Sequence, residues 1–333
     1  MLSLKEFFEK NPEIKIIVNA GKGGLGKTTA SAAMAYWFAK HGEKPLCFST
    51  DPQASLSDIF ETDLFGKGIK ELMPNLFVVE IDADKRIAEF QEEIRNKIKT
   101  MYGMDEIPDE IDEYIRTSAY EPAMHESATY DAMADLVASG QFHPYVFDMP
   151  PFGHGVRMVS MAMILDAWID KMEETRRKAA EYSKMAEEIR GVAGEVEEKI
   201  LNELREIRQK LDLFRDSLID PKKCAFFMIL IPERMAILDT ERALAMFDKL
   251  GMKMAGVIVN QVYPRELLDR PDLSEFLRRR IEMQQKYLKE IKEKFEEYIR
   301  AVVPMFDREP KGLDMIAKVA EHLFEKPGLE VFE

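Results

Sequence analysis

Cysteine is nearly absent: Cys47 and Cys224 are the only two in 333 residues. They lie far apart in apolar, strand-like runs, and no C-x-x-C pair exists. That pattern excludes a zinc ribbon and reads as two buried core thiols rather than a disulfide. The five histidines are scattered, so no structural zinc is expected. No apolar run approaches the roughly 18 residues a membrane span needs. The opening Met1-Leu2-Ser3-Leu4-Lys5-Glu6 lacks the pattern of a signal peptide, so a cytoplasmic protein is expected. Basic charge is also short. Lys+Arg total 47 against Asp+Glu 61, a net charge of −14, which argues against nonspecific DNA binding; no nucleic-acid partner is expected. What the chain does have is 46% hydrophobic residues, enough for one large α/β domain or two small ones.

The informative stretch is Gly21-Lys22-Gly23-Gly24-Leu25-Gly26-Lys27-Thr28-Thr29. It follows the apolar run Ile14–Ala20, which reads as a buried strand, and precedes Ala30–Ala39, which reads as a helix. This is the setting required by the phosphate-binding motif G-x-x-x-x-G-K-[ST]. Glycines let the backbone approach phosphate oxygens, and the helix N-terminus adds partial positive charge. Lys27 supplies a full charge near the β- and γ-phosphates, and the Thr28 hydroxyl is placed to ligate Mg²⁺. The same residues satisfy G-x-G-x-x-G through Gly21, Gly23 and Gly26, with an acid, Asp51, about 25 residues on. The Lys-Thr pair after the last glycine, and a second strand-end acid at Asp148, favour a nucleoside triphosphate with Mg²⁺ over a dinucleotide.

Beyond this loop, Lys44–Asp51 reads as a strand ending in an acid. Asp51 is either a turn residue or the acid that orients the attacking water. Leu76–Ile81 is a further strand. Residues from about Asp84 to Ala138 are helical in period, with no strand pattern. His143–Asp148 returns as a strand, followed by a loop, Asp148–His154, that cannot be helical. Residues 158–218 are helical again, apolar at first and then highly charged. Cys224–Ile231 reads as a central strand, Thr240–Leu250 as a helix, Met254–Asn260 as a strand and Asp272–Arg300 as a long charged helix. Ala301–Pro304 is a last strand and Gly312–Phe324 a closing helix. Strands alternating with helices predict an α/β fold, a doubly wound, mostly parallel sheet with an inserted helical subdomain. The expected division is an ATPase core at 1–90, 139–157 and 219–333, with helical insertions at 91–138 and 158–218.

The string K-G-G-x-G-K-T resembles the deviant phosphate-loop motif of a class that includes ParA, MinD, the nitrogenase iron protein and the arsenite-pump ATPases. Ser49-Thr50-Asp51-Pro52-Gln53-Ala54-Ser55-Leu56-Ser57-Asp58 resembles the arsenite-pump family's S-T-D-P-A-H-S-L-S-D. Asp148–Arg157 resembles its D-T-A-P-T-G-H-T-L-R. Ile231-Pro232-Glu233, Thr240-Glu241-Arg242, Ile258-Val259-Asn260-Gln261 and Pro304-Met305-Phe306 continue the likeness, especially to its tail-anchored-protein targeting factors. The resemblance implies a catalytic role for Asp51, a Mg²⁺ site shared by Thr28, Asp51 and Asp148, partly through water, and a backbone hydrogen-bond donor to the γ-phosphate at Gly153. It also implies adenine recognition at Asn260, with Pro304 and Phe306 bordering the base, and a Lys22 that reaches into a partner's site. Departures are Gln53, Ala54, Met149 and Phe152, and the missing C-x-x-C before Met283, which removes a zinc-locked dimer.

Together these imply an ATP-hydrolysing homodimer, with Mg²⁺, that shields a hydrophobic transmembrane helix of a client such as a tail-anchored membrane protein, handed to a membrane receptor. Methionines at 158, 161, 163 and 172 suit variable apolar clients, although a methionine stripe is also ordinary core. The alternatives are an energiser of an anion or arsenite efflux pump, and a MinD- or ParA-like positioning ATPase. In the latter, helix 312–324 would serve as an amphipathic anchor, which its acidic tail opposes.

Overall fold

The computed structural model describes residues 1–49, 55–102, 122–148 and 212–332, together with 106, 107, 109, 112, 113, 116, 209 and 210. Contacts divide the chain into two units: 1–81, 141–156 and 217–333 form one, and 82–140 with 157–216 form the other.

The first unit is built on an eight-stranded sheet of order β3-β4-β2-β5-β1-β6-β7-β8. The strands are β1 Ile16–Ala20, β2 Leu46–Ser49, β3 Lys70–Met73, β4 Leu76–Glu80, β5 Tyr145–Asp148, β6 Cys224–Leu230, β7 Met254–Val262 and β8 Ile299–Pro304. Every neighbouring pair is parallel except β3 with β4. Strands β1, β2, β5 and β6 are buried at every position, which is why each reads as a mainly apolar run, broken in β1, β2 and β5 only by Asn19, Ser49 and Asp148 near the carboxyl ends. The chain moves from β1 toward β2 on one side and later toward β6 on the other. This is the reversal at which open α/β sheets place a ligand, outside the strands' carboxyl ends.

The helices are α1 Leu4–Lys10, α2 Lys27–Lys40, α3 Ser55–Phe60, α4 Ala83–Tyr102, α5 Pro122–Ala138, α6 Arg234–Lys249, α7 Glu275–Phe295 and α8 Gly312–Phe324. Among the described residues no helix is long and apolar enough to cross a membrane.

Several elements differ from the sequence reading. The charged stretch at 272–300 is not one helix. Ser274 caps α7 by accepting from the Leu277 N–H, the helix ends at Phe295, and Arg300 lies inside β8. Its guanidinium is buried, donating to the carbonyls of Ala255, Glu297 and Ile299 at 3.0, 2.7 and 3.2 Å. The stem fills the space above Gly256, where a Cβ would fall 2.3 Å from Arg300 Cγ. Helix α6 starts at Arg234, a turn and a half before Thr240. The closing helix α8 matches its predicted bounds but is no membrane anchor. Met315, Ile316, Val319, Ala320, Leu323 and Phe324 are all buried, and Phe324 stacks on Trp37 of α2 at 4.1 Å. Its apolar face is core.

In the second unit, α4 and α5 are joined by ions. Arg86 pairs with Asp131 at 2.7 Å and Asp135 at 3.0 Å. Lys210 pairs with the same two carboxylates, and Tyr130 packs on Phe214.

Candidate functional site

The glycine-rich loop connects β1 to α2. Gly26 caps α2 in the left-handed region, at φ +92°, so a side chain there would be strained. It would also collide: an added Cβ would sit 2.3 Å from the Asn260 amide nitrogen. At Gly23 and Gly24, by contrast, a Cβ would meet nothing within 4 Å, so the loop backbone is open on that side. Lys27 is buried, and its Nζ donates back to the Lys22 carbonyl at 3.2 Å. The Lys22 side chain is exposed.

The ends of β5 and β2 meet at the head of α2, and the end of β4 reaches the head of α3. Asp148 closes β5 and is 2% exposed. Its Oδ2 accepts from Thr28 Oγ1 at 2.8 Å, Ser49 Oγ at 3.1 Å and Ser55 Oγ at 3.3 Å. Ser49 ends β2 and Ser55 starts α3, so both flanks of 50–54 reach the carboxylate that holds the helix-cap threonine. Glu80 closes β4, also buried, and its carboxylate accepts from the Leu56 N–H at 2.6 Å and the Ser57 N–H at 3.3 Å. It satisfies amides at the head of α3 that the helix leaves unpaired. Asp51, Thr50 and Gly153 lie outside the described residues.

The far side of the loop is held by β7. Asn260 Nδ2 donates to the Leu25 carbonyl at 2.8 Å, and Gln261 Nε2 to that of Gly24 at 3.5 Å. Val262 pairs with Pro304 across β7 and β8, and the Met305 N–H donates to the Val262 carbonyl at 2.9 Å. Pro304 and its neighbours thus lie beside the Asn260 segment. Phe306 meets His322 edge-on at 5.7 Å.

Ser49, Ser55, Glu80 and Gln284 were not singled out in the sequence. A serine or a strand-end glutamate carries no periodic signal. Gln284 does: it takes a core position in the series Ile281, Gln284, Leu288, Ile291, Phe295.

The donor set suits a Mg²⁺–nucleotide. A hydroxyl and a carboxylate oxygen lie 2.8 Å apart at the head of α2, as hard oxygen ligands for Mg²⁺ require. A lysine ammonium sits against a loop whose outer face is open. The two cysteines fit no such role. Burial pushes both thiols well above their ordinary value, and for Cys47 the nearby Asp148 and Glu80 carboxylates add to it.

A phosphate loop between the central strand and its helix, with acids and serines at the neighbouring strand ends, defines a phosphate-loop nucleoside triphosphatase. The comparisons narrow this class: the profile of the anion-transporting ATPase family matches residues 14–325. The chain belongs to that family and is an ATPase. A protein of Aquifex aeolicus named for driving an arsenical pump is 28% identical, over 93% of this chain and 99% of its own. ATPase ASNA1 homolog 2 of Paramecium tetraurelia is 26% identical over 97% of each chain. ATPase GET3 of Komagataella phaffii is 25% identical, over 95% of this chain and 94% of its own.

Proposed function

We propose that the chain is an ATP-driven dimeric switch that shields a hydrophobic helix of a client, such as a tail-anchored membrane protein, in the cytoplasm before its delivery to a membrane receptor. The observation that supports this reading is a full-length likeness to GET3-named ATPases, an extent that the pump-named relatives share. The GET3-named relative spans 95% of this chain, so the likeness runs through both helical insertions rather than stopping at the nucleotide core.

Within the core, Gly21 to Gly26 present backbone amides to the phosphates, and Lys27 neutralises the β- and γ-oxygens. Thr28 and Asp148 would hold Mg²⁺, which when bound would supply charge neutralisation at the transferring γ-phosphoryl group. Asp51 orients the attacking water, Gly153 donates to the γ-phosphate, and Asn260 reads the base beside Pro304 and Phe306. Lys22, exposed on the loop, completes the site of a second copy.

The client surface falls to 91–138 and 158–218. Replacing Met161, Leu165 and Trp168, which lie outside the described residues, with Ser abolishes crosslinking of a transmembrane-helix peptide in the ATP state and leaves basal hydrolysis nearly intact. Unchanged capture would reject the groove.

A second reading, the energiser of an efflux pump, draws support from the name of the Aquifex relative. For arsenite it meets a chemical obstacle. Soft metalloids bind thiolates, and both cysteines are buried with their thiols held protonated.

A further inference from the structure

Gln284 lies on the buried face of α7 and is 6% exposed. An amide at such a position is costly unless both ends are bonded. Both are, and to one short segment. Its Oε1 accepts from the Tyr263 N–H at 3.0 Å, and its Nε2 donates to the Gln261 carbonyl at 3.0 Å. The two backbone groups flank Val262, the last residue of β7.

The segment needs holding. Gln261 adopts a φ of +58°, a left-handed backbone that a non-glycine residue keeps only when its surroundings enforce it. The β7–β8 register also shifts between Val259 and Val262, so the sheet ladder does not set the conformation. Yet this is where the side chains of Asn260 and Gln261 reach the carbonyls of Leu25 and Gly24. The chain of contacts runs from α7, through Gln284, to the turn at 260–263, and from there to the phosphate loop.

We propose that Gln284 is a positioning residue for base selection: it fixes the turn at 260–263 so that Asn260 meets adenine while bracing the phosphate loop. The inference rests on the reading of Asn260 as the base-contacting residue. A side-chain amide separates adenine from guanine by where donors and acceptors fall, so discrimination decays when the amide shifts by a fraction of an ångström.

The test is calorimetric titration of the full chain with non-hydrolysable analogues of ATP and of GTP. Gln284→Met removes both hydrogen bonds at similar volume. Gln284→Glu keeps the acceptor but sets a carboxylate against the Gln261 carbonyl, and either variant decides if the other fails to fold. Each weakens the ATP analogue roughly tenfold, the scale of losing a buried hydrogen bond, and moves the GTP analogue little. Leu288→Ala, in the same buried face, calibrates simple destabilisation: the melting temperature falls and the affinity ratio stays. A wild-type ratio in the Gln284 variants, with the ratio lost in Asn260→Ala, overturns the proposal and spares the reading of Asn260. A ratio unchanged in Asn260→Ala, or a wild-type chain without base preference, overturns both.

Discussion

Thr28 and Asp148, 120 positions apart, meet at 2.8 Å at the carboxyl edge of the sheet. The same Asp148 oxygen accepts from Ser49 and Ser55. One carboxylate therefore links the head of the phosphate-loop helix to both flanks of the segment bearing Asp51.

The first prediction concerns that segment. Asp51→Asn leaves binding of an ATP analogue within about twofold while kcat falls about a hundredfold or more, as expected when a group that orients the nucleophile loses its charge. Steady-state phosphate release and analogue titration measure the two effects separately. Wild-type turnover would remove Asp51 from the chemistry.

A second prediction concerns assembly. If Lys22 completes a partner's site, an ATP analogue shifts the wild-type chain toward a dimer, and Lys22→Ala lowers kcat roughly tenfold or more while one chain still binds nucleotide. Light scattering after size exclusion reads the mass. A wild-type chain that stays monomeric with saturating analogue at high concentration would rule out the role in trans.

Glycine at 26 is constrained twice over. At Gly24, with φ +78° and nothing near an added Cβ, alanine costs the free protein only the left-handed strain, about 1–2 kcal/mol. At Gly26 it also drives Asn260 away from Leu25. Gly26→Ala therefore melts at a lower temperature than Gly24→Ala and loses nucleotide affinity by at least about tenfold, the scale of a lost buried hydrogen bond. Equal melting temperatures for the two would show that Asn260 gives way freely.

The ion cluster of the second unit carries a pH signature. Burial pushes the Asp131 carboxyl up, but Lys210 and Arg86 more than offset this and hold it below its ordinary value. Its stabilisation is thus present above the unfolded value, near pH 4, and is lost as pH falls through the native one. Burial pulls the Lys210 ammonium down, and its bonds to Asp131 and Asp135 more than offset that, holding it above its ordinary value. Its contribution is present below the unfolded value, near pH 10, and is lost as pH rises through the native one. Opening free energies of α4 and α5, taken from hydrogen-exchange rates divided by the intrinsic rate at each pH, are flat at neutral pH and fall below about pH 4. Asp131→Asn removes most of that acid-side slope. A slope unchanged by the substitution would assign the effect elsewhere.

The phosphate loop and the central strands were legible in the sequence because each is a local signal: a glycine pattern, or an apolar run bounded by turns. The family likeness supplied the rest of the ATPase assignment. Less visible was β3, whose Lys70 and Glu71 are exposed on an edge strand and so lack apolar alternation. Helix α1 is too short for periodicity, although its capping box, Ser3 with Glu6, stood in plain view. Arg300 read as the end of a long charged helix; only the fold brings three carbonyls to it. Asp148 was legible as a strand-end acid, but its serine partners were not, since a hydroxyl carries no pattern until the strands are paired.

That buried arginine has a consequence for how the chain can change over time. Gly256 is empty so that Arg300 can occupy the space, and Arg300 in turn covers the Phe7 ring at 5.5 Å. Any side chain at 256 evicts the guanidinium from its carbonyls. A smaller residue at 300 leaves a void that glycine cannot fill. The two positions are therefore constrained as a pair: a side chain at 256 fits only once residue 300 is smaller, and a chain carrying just one of the two changes is expected to be less stable than one carrying both or neither.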